Sequence, residues 1–195
     1  MNFLDKCRHG MTGEKGEKLS RVSRDTKLLG DMSSQIGGKI MNIGIIVYSQ
    51  TGHSHSVALK LQEKLATAGH SANLERVEIS GEAGPGAKDF QLTTKPAVDP
   101  YDALVFGSPV MAFSLSPAMK RYLTQIAALQ GKKVACLVTK NLPFSWTGGT
   151  QAINKMKKLC TAKDGAVCGS GIVIWSSKRR EQMITDVVEK LCRLF

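Results

Sequence analysis

Residues 41–56 read MNIGIIVYSQTGHSHS, an apolar run that passes directly into a polar stretch containing glycine. Residues 43–48 are almost continuously apolar, which predicts a strand buried on both faces of a parallel sheet. From 54 to 68 apolar side chains recur every four residues, so a helix is predicted there, ending at Gly69. The folded region therefore opens with a strand, a short polar loop and a helix.

The same alternation continues to the end of the chain. Further strands are predicted over 73–79, 103–106, 134–139 and 167–175, and further helices over 117–128, 150–159 and 179–194. A long loop rich in Gly, Pro and Thr is predicted over 80–100. Five strands that alternate with four helices predict an α/β domain with a doubly wound parallel sheet and helices on both faces. Ligands of such sheets bind beyond the carboxyl ends of strands, so the loops after strands one, three and four are the candidates for function.

The first 40 residues have a different character. They are rich in Gly, Ser, Lys and Arg, and their apolar residues occur singly, without a helical or strand period. We predict that residues 1–40 are a disordered extension, or sequence translated upstream of a start at Met41, and that 41–195 form the domain. A transit peptide is the weaker alternative, because acidic residues are scattered through the segment.

Composition disfavours several classes of protein. No stretch reaches the roughly 18 uncharged apolar residues of a membrane helix, so no membrane association is expected. The five cysteines form no C-x-x-C pair, so no metal site is predicted, and free thiols are typical of the cytoplasm. The 27 Lys and Arg against 16 Asp and Glu give a net charge of +11, which favours acidic partners or anionic ligands. No recognition motif accompanies that charge, so nucleic-acid binding is not expected.

The loop after the first strand, residues 49–56, has the composition of a phosphate site. It holds four hydroxyl side chains, one glycine and two histidines, and the next acidic residue is Glu63. It leads into a helix, whose unpaired N–H groups and positive dipole end attract a phosphate. The alternative is an ordinary capped turn, which needs a single hydroxyl. The loop therefore predicts phosphate binding, with His53 and His55 as candidates for a charge-assisted bond to the ligand.

Other phosphate-binding proteins carry signatures that this chain lacks. A receiver domain has acidic residues at the ends of strands one and three, where this chain has Ser49 and Gly107. Neither the C-x5-R of small tyrosine phosphatases nor G-x-x-x-x-G-K-[ST] occurs. Residues 169–171, GSG, lack the third glycine of the dinucleotide fingerprint. These classes are therefore excluded.

Three loops carry a resemblance to a known family. Residues 49–54, SQTGHS, resemble the S/T-x-T-G-x-T/S phosphate loop of flavodoxins, and residues 48–53 are similar to the Y-S-x-x-G-H loop of WrbA-type NAD(P)H:quinone oxidoreductases. Residues 101–123, which contain GSP, and the GG pair at 148–149 are similar to the later loops of these proteins. The resemblance covers residues 41–195. It implies a flavodoxin-like fold, with five parallel strands in the order 2-1-3-4-5, and FMN as the cofactor.

The resemblance also implies which residues hold FMN. The phosphate would be held by Ser49, Gln50, Thr51, Gly52, His53 and Ser54. One side of the isoalloxazine ring would be lined by Ser108, Pro109, Val110, Met111 and Phe113, and the other by Thr139, Asn141, Trp146, Gly148 and Gly149. Phe113 and Trp146 are the aromatic side chains able to stack on the flat flavin ring. No catalytic residue is predicted.

Two departures from the electron-carrying flavodoxins bear on function. Those proteins are typically acidic around the flavin, whereas this chain is basic, and residues 109–113 lack the glycine whose peptide flips toward the reduced flavin. Both favour an NAD(P)H-dependent oxidoreductase that acts on small quinone-like acceptors. The alternative is a flavodoxin-type electron carrier that docks on a redox partner protein. Lys155, Lys157 and Lys158 are predicted to form a solvated helix face, with an acidic partner or the phosphates of NAD(P)H as the alternative contacts.

Overall fold

The computed structural model describes residues 39–81, 83, 84, 87, 89–144 and 146–195. Their helices and strands run, in chain order, β1 (Asn42–Val47), α1 (His53–Thr67), β2 (Ser71–Arg76), β3 (Glu78–Ser80), β4 (Gln91–Thr94), β5 (Ala103–Met111), β6 (Ser114–Leu115), α2 (Pro117–Gln125), β7 (Lys133–Lys140), α3 (Gly149–Thr161), β8 (Ala166–Ile174) and α4 (Arg180–Cys192). The predicted extension over 1–40 lies outside the described residues, except for its last two positions.

Five parallel strands form the main sheet, in the order β2-β1-β5-β7-β8. This order confirms the predicted doubly wound arrangement. The chain moves from β1 outward to β2, and from β5 in the opposite direction to β7 and β8. The order therefore reverses between the carboxyl ends of β1 and β5, which is where ligands bind in sheets of this kind.

Helices cover both faces of the sheet, as predicted. On one face, Leu61 of α1 and Leu191 of α4 belong to the same buried cluster as Ile45 of β1. On the other face, Tyr122 of α2 packs edge-on against Phe106 of β5, with ring centroids 6.2 Å apart. Because successive side chains of a strand point to opposite faces, β1 supplies residues to both cores. That double burial is the physical reason for its unbroken apolar run.

The connection between β2 and β5 differs from the prediction. Residues 80–100 were predicted to be a loop throughout, and this is wrong, because in the described residues β3 and β4 pair as an antiparallel hairpin. Phe90 and Val98 are buried in this region beside Val77. Isolated buried side chains of this kind are enough to hold a hairpin and a loop against the core. A helix needs apolar residues that recur at a 3.6-residue period, which this segment lacks.

The third parallel strand, β5, is longer than predicted. It continues to Met111, because Gly107, Ser108 and Pro109 keep their pairing with β7. A Cβ atom on Gly107 would lie 2.9 Å from Cγ2 of Val47, so the close approach of β1 and β5 requires glycine there. The GSP motif is thus the end of a strand, and the loop that follows it begins beyond Met111.

Within the described part of the chain, no helix combines the length and the apolar character needed to cross a membrane. The same residues contain no group of three or more His, Cys, Asp or Glu placed to bind a metal ion. Their four cysteines, Cys136, Cys160, Cys168 and Cys192, are free thiols.

Candidate functional site

The loop between β1 and α1 lies at the point where the strand order reverses. Tyr48 donates its backbone N–H to the carbonyl oxygen of Gly107 at 3.0 Å, which holds the end of β1 against β5. Gly52 has φ +83°, a left-handed conformation that favours glycine, and it is the N-cap residue of α1. The backbone amides from Gln50 to Ser54 have no backbone acceptor among the described residues, and the first turn of α1 holds no acidic side chain. Such a cluster of amides favours an anion.

The hydroxyl groups of this loop have two different environments. Thr51 is exposed, whereas Ser49 and Ser54 are buried. The Ser49 Oγ accepts a hydrogen bond from the amide of His55 at 3.3 Å, and the Ser54 Oγ lies 2.7 Å from Oγ1 of Thr139. Thr51 is therefore the hydroxyl best placed for a ligand, and the two buried serines fasten the loop to the fold.

The hairpin that ends β5 forms a second wall. Ala112 and Phe113 connect β5 to β6 with φ values of +44° and +59°, a strained conformation for residues that carry a Cβ atom. The Oγ atoms of Ser108 and Ser116 lie 2.8 Å apart and join β5 to the residue that follows β6. The Ser116 Oγ also accepts a hydrogen bond from the amide of Met119 at the start of α2. Strained backbone of this kind clusters at binding sites, because the surrounding structure must hold it.

The loop between β7 and α3 packs directly on that hairpin. Gly148 has φ +86°, and a Cβ atom there would lie 2.2 Å from the carbonyl carbon of Phe113, so only glycine is compatible with this contact. The rings of Phe113 and Trp146 are 5.8 Å apart, and Phe144 stacks on Trp146 at the same centroid distance. All three rings are exposed, Trp146 by 66%. They form an aromatic patch at the carboxyl edge of the sheet, made of Phe113, Phe144 and Trp146.

A buried ammonium group supports this loop. Lys140, at the end of β7, is only 8% exposed, and its Nζ donates to the carbonyl oxygen of Phe144 at 2.7 Å and to Oγ1 of Thr147 at 3.1 Å. None of the ion pairs of the described residues includes it. Burial lowers the pKa of Lys140, because the charged form loses its hydration. Sequence reasoning missed this residue, although a lysine ending an apolar strand was a signal.

A second unpredicted residue lies beside the loop between β1 and α1. The indole of Trp175, just after β8, stacks on the imidazole of His53 with centroids 3.9 Å apart and planes inclined by 16°. The guanidinium carbon of Arg180 lies 4.7 Å from the same indole centroid. Sequence reasoning missed Trp175 because the two stacked residues are far apart in the chain.

The three predicted loops meet at one edge of the sheet. The contact of Ser54 with Thr139 and that of Phe113 with Gly148 join them. Two of the predicted residues, Ser108 and Gly149, are buried. Others are at least partly accessible to solvent, namely Gln50, Pro109, Val110, Met111 and Asn141. The structure therefore brings the predicted residues together, and their contact with FMN stays a prediction.

Comparison with known proteins bears on the fold. No family model matches the chain. Oxidised flavodoxin 2 from Bacillus cereus is similar with a TM-score of 0.58 at 17% identity, over 79% of this chain and 99% of that one. A flavodoxin, WrbA-like protein from Agrobacterium tumefaciens gives 0.56 at 16% identity, over 78% and 98%. A flavoprotein from Lactobacillus acidophilus, solved in complex with FMN, gives 0.52 at 17% identity, over 75% and 98%. The chain has the flavodoxin-like fold.

One similarity was found at the level of sequence. The chain is 26% identical to protoplast secreted protein 2 of Saccharomyces cerevisiae over 132 residues, which cover 61% of this chain and 64% of that protein. The match thus spans less than two thirds of the yeast protein. Similarities this distant establish the fold, and ligand and reaction must be argued from the site.

Proposed function

We propose that this protein is an FMN-binding redox flavoprotein, and that it acts as an NAD(P)H-dependent oxidoreductase on quinone-like acceptors. The observation that carries the proposal is the acid-free cluster of amides at the start of α1, placed where the strand order reverses. A ligand that suits such a site has a phosphate on a short chain and a flat ring beside it. The amides, the exposed Thr51 and the adjacent aromatic patch suit both parts of FMN.

The residues of the chain have distinct roles in this proposal. FMN supplies the electron and hydride chemistry when it is bound. The amides from Gln50 to Ser54 and the hydroxyl of Thr51 bind the phosphate and fix the position of the ring. The hairpin at Phe113 and the loop at Trp146 offer exposed aromatic rings for contact with the flavin ring. The ammonium group of Lys140 holds the second loop in place through the carbonyl oxygen of Phe144.

The basic character of the chain supports the oxidoreductase over the carrier. A positive surface attracts the phosphates of NAD(P)H, and positive charge near a flavin stabilises its anionic reduced form. The free cysteines suit a reducing compartment, and we propose the cytoplasm. One observation favours the carrier instead: the aromatic patch is open to solvent and could receive a partner protein.

Steady-state kinetics separates these two functions. The purified chain loaded with FMN is mixed with NADH or NADPH and a soluble quinone, and consumption of the nicotinamide is followed by its absorbance. The oxidoreductase predicts turnover that saturates with both substrates. Turnover that appears only after a separate reductase is added supports the carrier. A chain that takes up no FMN contradicts both.

A further inference from the structure

The first turn of α1 is stabilised without the usual capping side chain. Gly52 is its N-cap residue and offers no side chain, so the cap position itself makes no side-chain hydrogen bond. The amide of His55, further into the turn, donates to Oγ of Ser49 at 3.3 Å. A Ser or Asp at that position would accept from an amide of the first turn, and that amide would then be lost to a ligand. The turn must therefore be ordered by contacts that leave the amides from Gln50 to Ser54 available, as the bond of Ser54 to Thr139 does.

The stack of His53 on Trp175 is a second contact of this kind. His53 is the first residue of α1, and its imidazole lies against the indole with centroids 3.9 Å apart. The main chain that carries the indole is fixed, because the backbone N–H of Trp175 donates to the carbonyl oxygen of Lys140 at 2.7 Å. Arg180 contacts the same indole, and its Nε donates to Glu181 at 3.1 Å. The indole of Trp175 is thus carried on a fixed main chain and contacted by the side chains of His53 and Arg180. It is a firm support for the start of α1.

We propose that Trp175 is a positioning residue for the phosphate of the ligand. Its indole orders His53 and the first turn of α1, so that the amides from Gln50 to Ser54 converge on the phosphate without being used by a cap. This inference rests on the proposed binding of FMN. It adds Trp175, which follows β8, to the residues that position the phosphate.

The two tryptophans of the chain allow a matched experiment. Trp175 supports the phosphate loop, whereas Trp146 lies in the aromatic patch on the other side of the site. Dissociation constants for FMN and for riboflavin are measured by quenching of flavin fluorescence in the wild type, W175A, W175F and W146A. We expect W175A to weaken FMN about tenfold and riboflavin less than twofold, because riboflavin has no phosphate. W175F retains an aromatic ring and should recover most of the loss, and W146A should weaken both flavins by similar factors.

The outcomes separate this inference from the function on which it rests. W175A with equal losses for both flavins, or with no loss, overturns the role of Trp175 while FMN binding stands. A wild type that binds neither flavin, or both equally, contradicts the proposed phosphate site and this inference with it. If W175A fails to fold by circular dichroism, W175F against W175L provides the same test, since both keep an apolar side chain and only one keeps a ring.

Discussion

The hydroxyl oxygens of Ser54 and Thr139 lie 2.7 Å apart, in a place where the two residues are 0% and 3% exposed. Ser54 belongs to the first turn of α1 and Thr139 to the end of β7, so one hydrogen bond joins two of the three loops of the site. Ser54 was predicted to bind the phosphate of the ligand, and that contact stays a prediction. The structure shows that its hydroxyl also holds the two loops together.

Replacing Ser54 with alanine should therefore reduce stability more than it alters ligand contacts. The change leaves the Thr139 hydroxyl buried without its partner, which costs about 1–3 kcal/mol. Urea unfolding of the ligand-free protein measures the loss. The double variant S54A/T139V removes both hydroxyls and should recover part of it, since no polar group is then left unpaired. A fully stable S54A would show that the bond contributes nothing.

Thr51→Ala should have the opposite effect to Ser54→Ala, since it should weaken ligand binding and leave stability almost unchanged. Because Thr51 is exposed, its removal should leave the free energy of unfolding within about 0.5 kcal/mol of the wild type. FMN binding should weaken by about 1–3 kcal/mol, the usual contribution of a hydrogen bond to a charged group. Titration with FMN measures the loss, and Thr51→Ser, which keeps the hydroxyl, is the control. Unchanged affinity in T51A would remove Thr51 from the site.

The hairpin between β5 and β6 contains strain that a glycine would relieve. Ala112 has φ +44°, and a left-handed residue with a side chain costs about 1–2 kcal/mol. Glycine removes that cost, but the greater freedom of glycine in the unfolded chain opposes folding by roughly 0.5–1 kcal/mol. Ala112→Gly should therefore stabilise the protein by about 0.5–1 kcal/mol. Gly52→Ala places a side chain at φ +83° with no atom within 4 Å to clash, and it should be destabilising. An A112G variant less stable than the wild type would contradict this account of the hairpin.

Lys140 gives the stability a dependence on pH. Burial lowers its pKa in the folded protein below the ordinary value of 10.5, so between the two values the unfolded chain binds more protons than the folded one. Stability attributable to Lys140 must then rise with pH across that window. Unfolding free energies of the wild type and Lys140→Met are compared at pH 7, 9 and 10. The free energy of unfolding of the wild type should rise relative to that of the variant as the pH rises. A difference that is constant or shrinks would contradict the burial of the ammonium group.

The sequence predicted what depends on local pattern. The buried strand β1, the loop that turns at Gly52 and the helices on both faces follow from residue periods and from one glycine in a run of hydroxyls. The hairpin after β2 was missed, because its apolar anchors have no period. Lys140 and Trp175 were missed because their roles come from contacts across the sheet, between residues such as His53 and Trp175 that are distant in the chain.

The central claim is that the start of α1 binds the phosphate of FMN. The most direct measurement is the pair of dissociation constants of the wild-type protein for FMN and for riboflavin, taken under the same conditions by quenching of flavin fluorescence. The account predicts that FMN binds at least about tenfold more tightly, since charge-assisted hydrogen bonds to the phosphate contribute more than 1.4 kcal/mol. Equal affinity for the two flavins would contradict it.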